Sequence, residues 1–157
     1  MIRTTYFDTY NGQGWPEPSW LARYFLTAQG RRDFFASGND NWGLAAQGVD
    51  GTAHLPARKG RVDVDLTIQG HPKLGVLLQW QKTGRVPIQT YYSQGDLKKL
   101  AQRVKDLNGY QYPAGLFIPF ETAWLAIKEF MNRDGALPRC IEWIRDADIP
   151  KEAFPPP

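Results

Sequence analysis

The sequence predicts an α+β fold: an antiparallel β-meander sheet of about four to six strands with two or three helices packed on one face. Three observations predict it. Between Arg61 and Tyr92, apolar and polar residues alternate with period two, the signature of half-buried strands. The links inside that stretch are too short for a parallel crossover, so the strands pair antiparallel. Two later stretches carry apolar residues at helical spacing and can cover the greasy side of the sheet.

In chain order, Asn11-Gly-Gln-Gly-Trp-Pro16 reads as turn-rich, and a helix follows from about Glu17 to Thr27, with Trp20, Leu21 and Tyr24 as its stripe. Gly30 is read as its stop, and Phe34 and Phe35 either extend it or anchor the next loop. Ser37-Gly-Asn-Asp-Asn41 reads as a turn, Trp42 to Val49 as a strand, and Asp50-Gly51 as a tight turn into another short strand. The meander then runs through Val62, Val64, Leu66 and Ile68, turns at Gly70-His-Pro-Lys73, and returns through Leu74, Val76, Leu78 and Trp80. Lys82-Thr-Gly-Arg85 is read as the second hairpin loop, and Val86, Ile88, Thr90 and Tyr92 as the third strand's apolar side. Asp96 is read as capping a helix to about Leu107, striped by Leu97, Leu100, Ala101, Val104 and Leu107, with Asn108-Gly109 ending it. Leu116 to Ile118 reads as a short bridging strand. Pro119 opens a helix striped by Phe120, Ala123, Trp124, Ile127, Phe130 and Met131, and Gly135 ends it. A last strand around Ile141 and Trp143 follows Pro138, and 151–157 reads as a loose Pro-rich tail. We read all 157 residues as one domain, with a variable N-terminal part over 1–60.

Composition excludes several classes. A single cysteine, Cys140, rules out an intrachain disulfide and a thiol-rich metal site, and suits a reducing compartment. Met1 to Tyr10 has no apolar run after a basic segment, so no signal peptide is expected. No stretch is long and apolar enough to span a membrane, and the expected location is the cytoplasm. His54 and His71 lie in turns beside prolines, without ligand-spaced neighbours, so neither a metal nor any other cofactor is expected. Cys140 lacks a histidine partner and reads as a buried, inert residue on a strand. The glycines form neither a phosphate cradle nor a nucleophile elbow. Asp63 and Asp65 form a carboxylate pair on one strand face, the one candidate for acid–base chemistry; without a histidine or a clear pocket they read as hydrated sheet surface. No catalytic residue and no small-molecule substrate is therefore expected.

The net charge is +3, and the excess is uneven: Gln81 to Gln111 holds six Lys or Arg against two Asp, mostly on the expected helix over 96–107. A solvated helix face accounts for it. The alternative is a small nucleic-acid-binding domain using Lys98, Lys99, Arg103 and Lys105, but the excess is weak for that use. The polar side of the meander is the other candidate surface. If the strands pair in register, Asp63, Asp65, Thr67, Leu77, Gln79, Gln81, Gln89 and Tyr91 point the same way. That mixture, an aromatic within a polar field, is typical of protein interfaces.

From Gly115 to Trp143 the chain resembles the first-numbered family of bacterial immunity proteins, Imm-one. The resemblance rests on Ile118-Pro119 before a helix with Ala123 and Glu129-Phe130, then Leu137-Pro138 and a closing Glu142-Trp143. Gly70-x-Pro72-x-Leu74 and Tyr91-Tyr92 fit the same pattern, placing an immunity-like core at 61–144 and leaving residues 1–60 as an addition that touches the partner. The resemblance implies a non-enzymatic antitoxin that binds the enzymatic domain of a cognate secreted toxin, one to one, and blocks it; toxins of this kind include nucleic-acid deaminases and nucleases. Applied to this chain, it makes Trp42, Asp63, Asp65, Gln79, Gln81, Gln89 and Tyr91 the expected toxin contacts, and gives Trp143 a structural role.

Overall fold

A computed structural model describes residues 1–7, 10–35, 42–85 and 87–156. Within them the order is β1 (Ile2–Phe7), β2 (Tyr10–Gln13), α1 (Pro18–Leu26), α2 (Ala28–Phe35), β3 (Trp42–Val49), β4 (Val62–His71), β5 (Gly75–Thr83), β6 (Gln89–Ser93), β7 (Arg103–Lys105), β8 (Gln111–Pro113), β9 (Phe117–Ile118), α3 (Phe120–Asn132) and β10 (Trp143–Arg145). Eight strands make one antiparallel sheet in the order β10-β6-β5-β4-β3-β1-β2, with β9 beside β5; β7 and β8 form a separate hairpin. The fold is thus α+β with the expected meander at its centre. The expected turn at 37–41 and the strand residue Val86 lie outside the described residues.

Three helices cover one side of the sheet. Val64, Leu66 and Ile68 of β4 and Val76, Leu78 and Trp80 of β5 pack against Leu21 and Phe25 of α1, Phe34 and Phe35 of α2, and Trp124, Ile127 and Phe130 of α3. Trp42 sits at the middle of an aromatic cluster with Phe7, Phe34 and Phe35 at centroid distances of 4.5–5.2 Å. Trp80 donates its indole N–H to the carbonyl of Gly135 (2.9 Å), locking the turn after α3 onto the sheet.

The roof differs from the expected one. α1 and α2 take the place assigned to a helix over 96–107, which does not form. Asp96 does cap a turn, accepting from the Lys98 N–H, but the turn is one 3-10 winding over Leu97–Lys99. The chain then pairs as β7 and β8. The Asp106 carboxylate accepts the N–H groups of Asn108 and Tyr110, so Asn108-Gly109 turns a hairpin instead of ending a helix. Leu107, placed on the apolar stripe, is 68% exposed. The nucleic-acid alternative therefore loses the helix it stood on, and the Arg103 guanidinium is engaged with the Glu152 carbonyl.

Smaller departures have equally local causes. Gly30 lies inside α2. Thr27 closes α1 by donating its hydroxyl to the Arg23 carbonyl, and the same oxygen caps α2 by accepting the Gly30 N–H. The two helices meet so closely there that a β-carbon on Gly30 would lie 2.0 Å from the Arg23 carbonyl oxygen. The stretch read as turn-rich at 11–16 begins with strand β2, paired to β1. Residues 51–61 form turns rather than a strand. The last strand begins at Trp143, and Cys140 precedes it as an exposed residue, not a buried one. The tail is not loose through 151–154: Ala153 is buried and Phe154 packs on Tyr92 at 5.2 Å.

Gly30→Ala should lower stability by about 1–3 kcal/mol in chemical denaturation, although alanine is the better helix former by roughly 1 kcal/mol. A stabilised variant would show that the α1–α2 corner is not this tight.

Candidate functional site

The second face of the sheet is divided. At the β5–β6 end, Leu77, Leu116, Phe117, Ile149 and Ala153 form a separate apolar cluster beneath the 97–117 segment and the C-terminal turns. Leu77 is therefore buried rather than part of a wet surface. Ser93 seals this region where β6 leaves β5: its hydroxyl accepts the Leu78 N–H (2.9 Å) and donates to the Leu116 carbonyl (2.7 Å). Tyr92 lies here too, its phenol pKa pushed up to about 12 by burial and then by the Asp146 charge.

The rest of that face is open. Register sets it out in three rows across the strands. Tyr6, Gly43, Thr67 and Gln79 form one; Thr4, Ala45, Asp65, Gln81 and Thr90 the next; Ile2, Gln47, Asp63 and Thr83 the third. Tyr6 is 57% exposed and Ile2 53%, so both present apolar surface on this face. A notch of about 240 Å³ lies in this surface, lined by Thr4, Tyr6, Gly43, Ala45, Asp65 and Thr67.

The seven expected contact residues divide between the two faces. Asp63, Asp65, Gln79 and Gln81 share the open one. Trp42 does not: at 2% exposure it is core and has no surface to present. Gln89 and Tyr91 do not either. Lys82 pairs with Gln89 and Trp80 with Tyr91, so both sit on the helix-covered side, where Tyr91 packs against the Trp80 ring at 6.0 Å. β6 pairs with its odd-numbered residues opposite even-numbered residues of β5, so the apolar side expected from Ile88, Thr90 and Tyr92 faces away from the helices. Thr90 and Tyr92 point to the second face instead. The aromatic residue on the open face is Tyr6, which the reading of the first ten residues missed. Its signal was present: Ile2-Arg-Thr-Thr-Tyr-Phe7 is rich in β-branched and aromatic residues.

The two aspartates of β4 have different surroundings. Asp63 takes two hydrogen bonds from Arg61 (2.9 and 2.8 Å) and one from the Gly48 N–H (2.9 Å), at the bulge between Gln47 and Val49. Burial opposes its charge, but Arg61 and Gly48 outweigh burial and hold its pKa below the usual value. Asp65 has no ion pair among the described residues. Although exposed, it loses hydration to the packed strands around it and faces the Asp63 charge, and both raise its pKa. With Asp63 committed to Arg61, the pair does not form an acid–base dyad.

Other polar groups are structural. Glu129 accepts from Arg133 and from the Arg139 N–H, fixing the loop after α3. Cys140, though exposed, has its thiol pKa raised by partial loss of hydration and by Glu129. His71 accepts the Lys73 and Leu74 N–H groups at its hairpin. A groove of about 670 Å³ beside the end of α3 holds charges already paired, Lys82 with Asp50 and Asp134 with Arg3. No cluster of metal-ligating side chains occurs among the described residues, and no helix there is long and apolar enough to cross a membrane.

Asp63→Asn should cost about 1–2 kcal/mol at neutral pH. The difference should shrink as pH falls below about 4, because a depressed pKa gives stability above the unfolded value, near 3.9, and loses it on protonation. Asp65→Asn should behave oppositely: a raised pKa means the charged form burdens the fold at neutral pH, so the variant should be as stable as the parent or more so. Urea denaturation at pH 7 and pH 3 checks both signs.

No curated protein and no solved structure matches the chain. A family model described as immunity protein Imm1 matches residues 23–145, reaching upstream of the expected core to include α2, β3 and the C-terminal end of α1. Residues 1–22 lie outside the matched region. The motif residues have structural duties: Phe130 is fully buried, Glu129 ties the following loop, and Trp143 donates its indole N–H to the Pro138 carbonyl (2.8 Å). The chain belongs to the Imm1 immunity protein family, a non-enzymatic class.

Proposed function

We propose that this chain is the antitoxin of a cognate toxin, acting in the cytoplasm by seating the open part of its second sheet face on the toxin's enzymatic domain, one immunity protein per toxin. Membership in the Imm1 family carries the reading, because an immunity protein implies a toxin to be immune to. The open rows support the choice of surface. They combine an exposed aromatic, an exposed Ile, amides and an unpaired carboxylate on a rigid, helix-backed sheet. Interfaces concentrate their energy in a few such residues, with tyrosine prominent among them. Tyr6 and Ile2 lie on β1, outside the matched region, so the hairpin adds chain-specific contacts to a family scaffold.

Co-expression with the toxin domain encoded beside this gene tests the proposal. The chain should restore growth and co-purify with that domain at a 1:1 ratio. Tyr6→Ala and Gln79→Arg should each weaken the complex at least tenfold in calorimetry, with unchanged thermal melting. No rescue and no complex would overturn the function; a complex indifferent to both variants would move the contact to another surface.

A further inference from the structure

We propose that the notch between β1 and β4 receives an arginine side chain from the partner protein. The inference deepens the toxin-binding reading and rests on it for the partner's identity. Its basis is the arrangement of five side chains. Along β3 the open face carries only Gly43 and Ala45 at this point, so the middle strand contributes almost no side-chain bulk. Tyr6 and Thr4 stand on one flank, on β1; Asp65 and Thr67 stand on the other, on β4. The flanking strands lie two strand spacings apart, roughly 10 Å between backbones. That gap accommodates a planar head group and its methylene stem.

Charge then selects the occupant. Asp63, two residues along the same face, is neutralised by Arg61. Lys82 is on the opposite face and pairs with Asp50, and Arg3, also opposite, pairs with Asp134. Asp65 is left without a cation among the described residues, in a site with hydroxyl acceptors and an aromatic face. A metal ion would want several carboxylates or carbonyls, and the notch offers one carboxylate. An ammonium would satisfy Asp65 but use little of Tyr6. A guanidinium satisfies both: it stacks flat on an aromatic ring and presents a fork of N–H donors to a carboxylate, with donors left for Thr4 and Thr67. The raised pKa of Asp65 agrees with a carboxylate lacking its counter-ion.

The test is a titration of the full chain, isotope-labelled, with N-acetyl-arginine methylamide, followed by NMR. Its lysine and citrulline counterparts serve as controls. Arginine should give saturable shifts at Gly43, Ala45 and Thr67 with a dissociation constant on the order of millimolar. Lysine should bind at least fivefold more weakly, and neutral citrulline should leave those signals in place. Asp65→Asn should abolish the arginine response; Ala45→Phe should do so by filling the notch, and Asp65→Glu should recover part of it. Equal responses to arginine and citrulline, or an unaltered response in Asp65→Asn, would overturn the proposal. The readout needs no toxin, so failure of toxin rescue with intact arginine binding would sink the function and leave the notch standing, and the reverse result would do the opposite.

Discussion

The architecture depends on the register of β4 against β5. The hairpin at 71–75 pairs Asp65 with Gln81 and Leu66 with Trp80, and nine consecutive pairs follow from it. Side chains alternate strictly across a sheet, so a slip of one residue would send Val64, Leu66 and Ile68 to water and bury Asp63 and Asp65. The core and the open face are thus two consequences of one alignment. Gly75 belongs to that constraint: at φ +103°, a β-carbon there would lie 2.0 Å from the Ile118 carbonyl oxygen, where β9 closes on β5. The hairpin and the β9 crossing are therefore specified together.

The parts legible in the sequence are those in which local pattern and tertiary demand agree. The strands of the meander, α3 with its Pro119 entry and Gly135 exit, and the bridging Phe117–Ile118 pair fall into that class. α3 reads clearly because every element of the pattern serves packing: Ala123 and Ala126 are fully buried at the close approach, and Phe130 fills the space beside them. The 96–107 segment shows the opposite case. Leu97, Leu100 and Val104 do have helical spacing, but the Asp106-Leu-Asn-Gly turn chemistry competes with it. The hairpin wins because it places Val104 and Tyr112 over Leu77 and Phe117. A long apolar spacing is weaker evidence than a short turn signal when only a few hydrophobic residues support it.

The candidate face was half legible for a related reason. On β4 and β5 the alternation itself reports the face. On β6 it does not, because Thr90, Tyr91 and Tyr92 are all amphipathic enough for either side. Phase is then read from the pairing itself, in which Trp80 faces Tyr91 and Lys82 faces Gln89. Trp42 was ambiguous in the same way: a tryptophan opening a strand beside polar residues suits an interface or a core, and the surrounding Phe7, Phe34 and Phe35 decide for the core. Tyr6 escaped notice because a strand near a chain terminus has few neighbours in sequence against which its periodicity can be measured.

The two carboxylates of β4 show how a fold can be separated from the surface it presents. Asp63 works for the structure. Arg61 and the Gly48 N–H satisfy it, and it holds the bulge that ends the β3–β4 ladder. Asp65 works against the structure: among the described residues its charge has no ion-pair partner, and a second carboxylate stands beside it. An asparagine at position 65 would fit the same space without that burden. A residue that opposes local stability, at the rim of an open notch, is the expected mark of a function met elsewhere. On the proposed reading, the counter-ion that Asp65 lacks among the described residues is what the partner supplies.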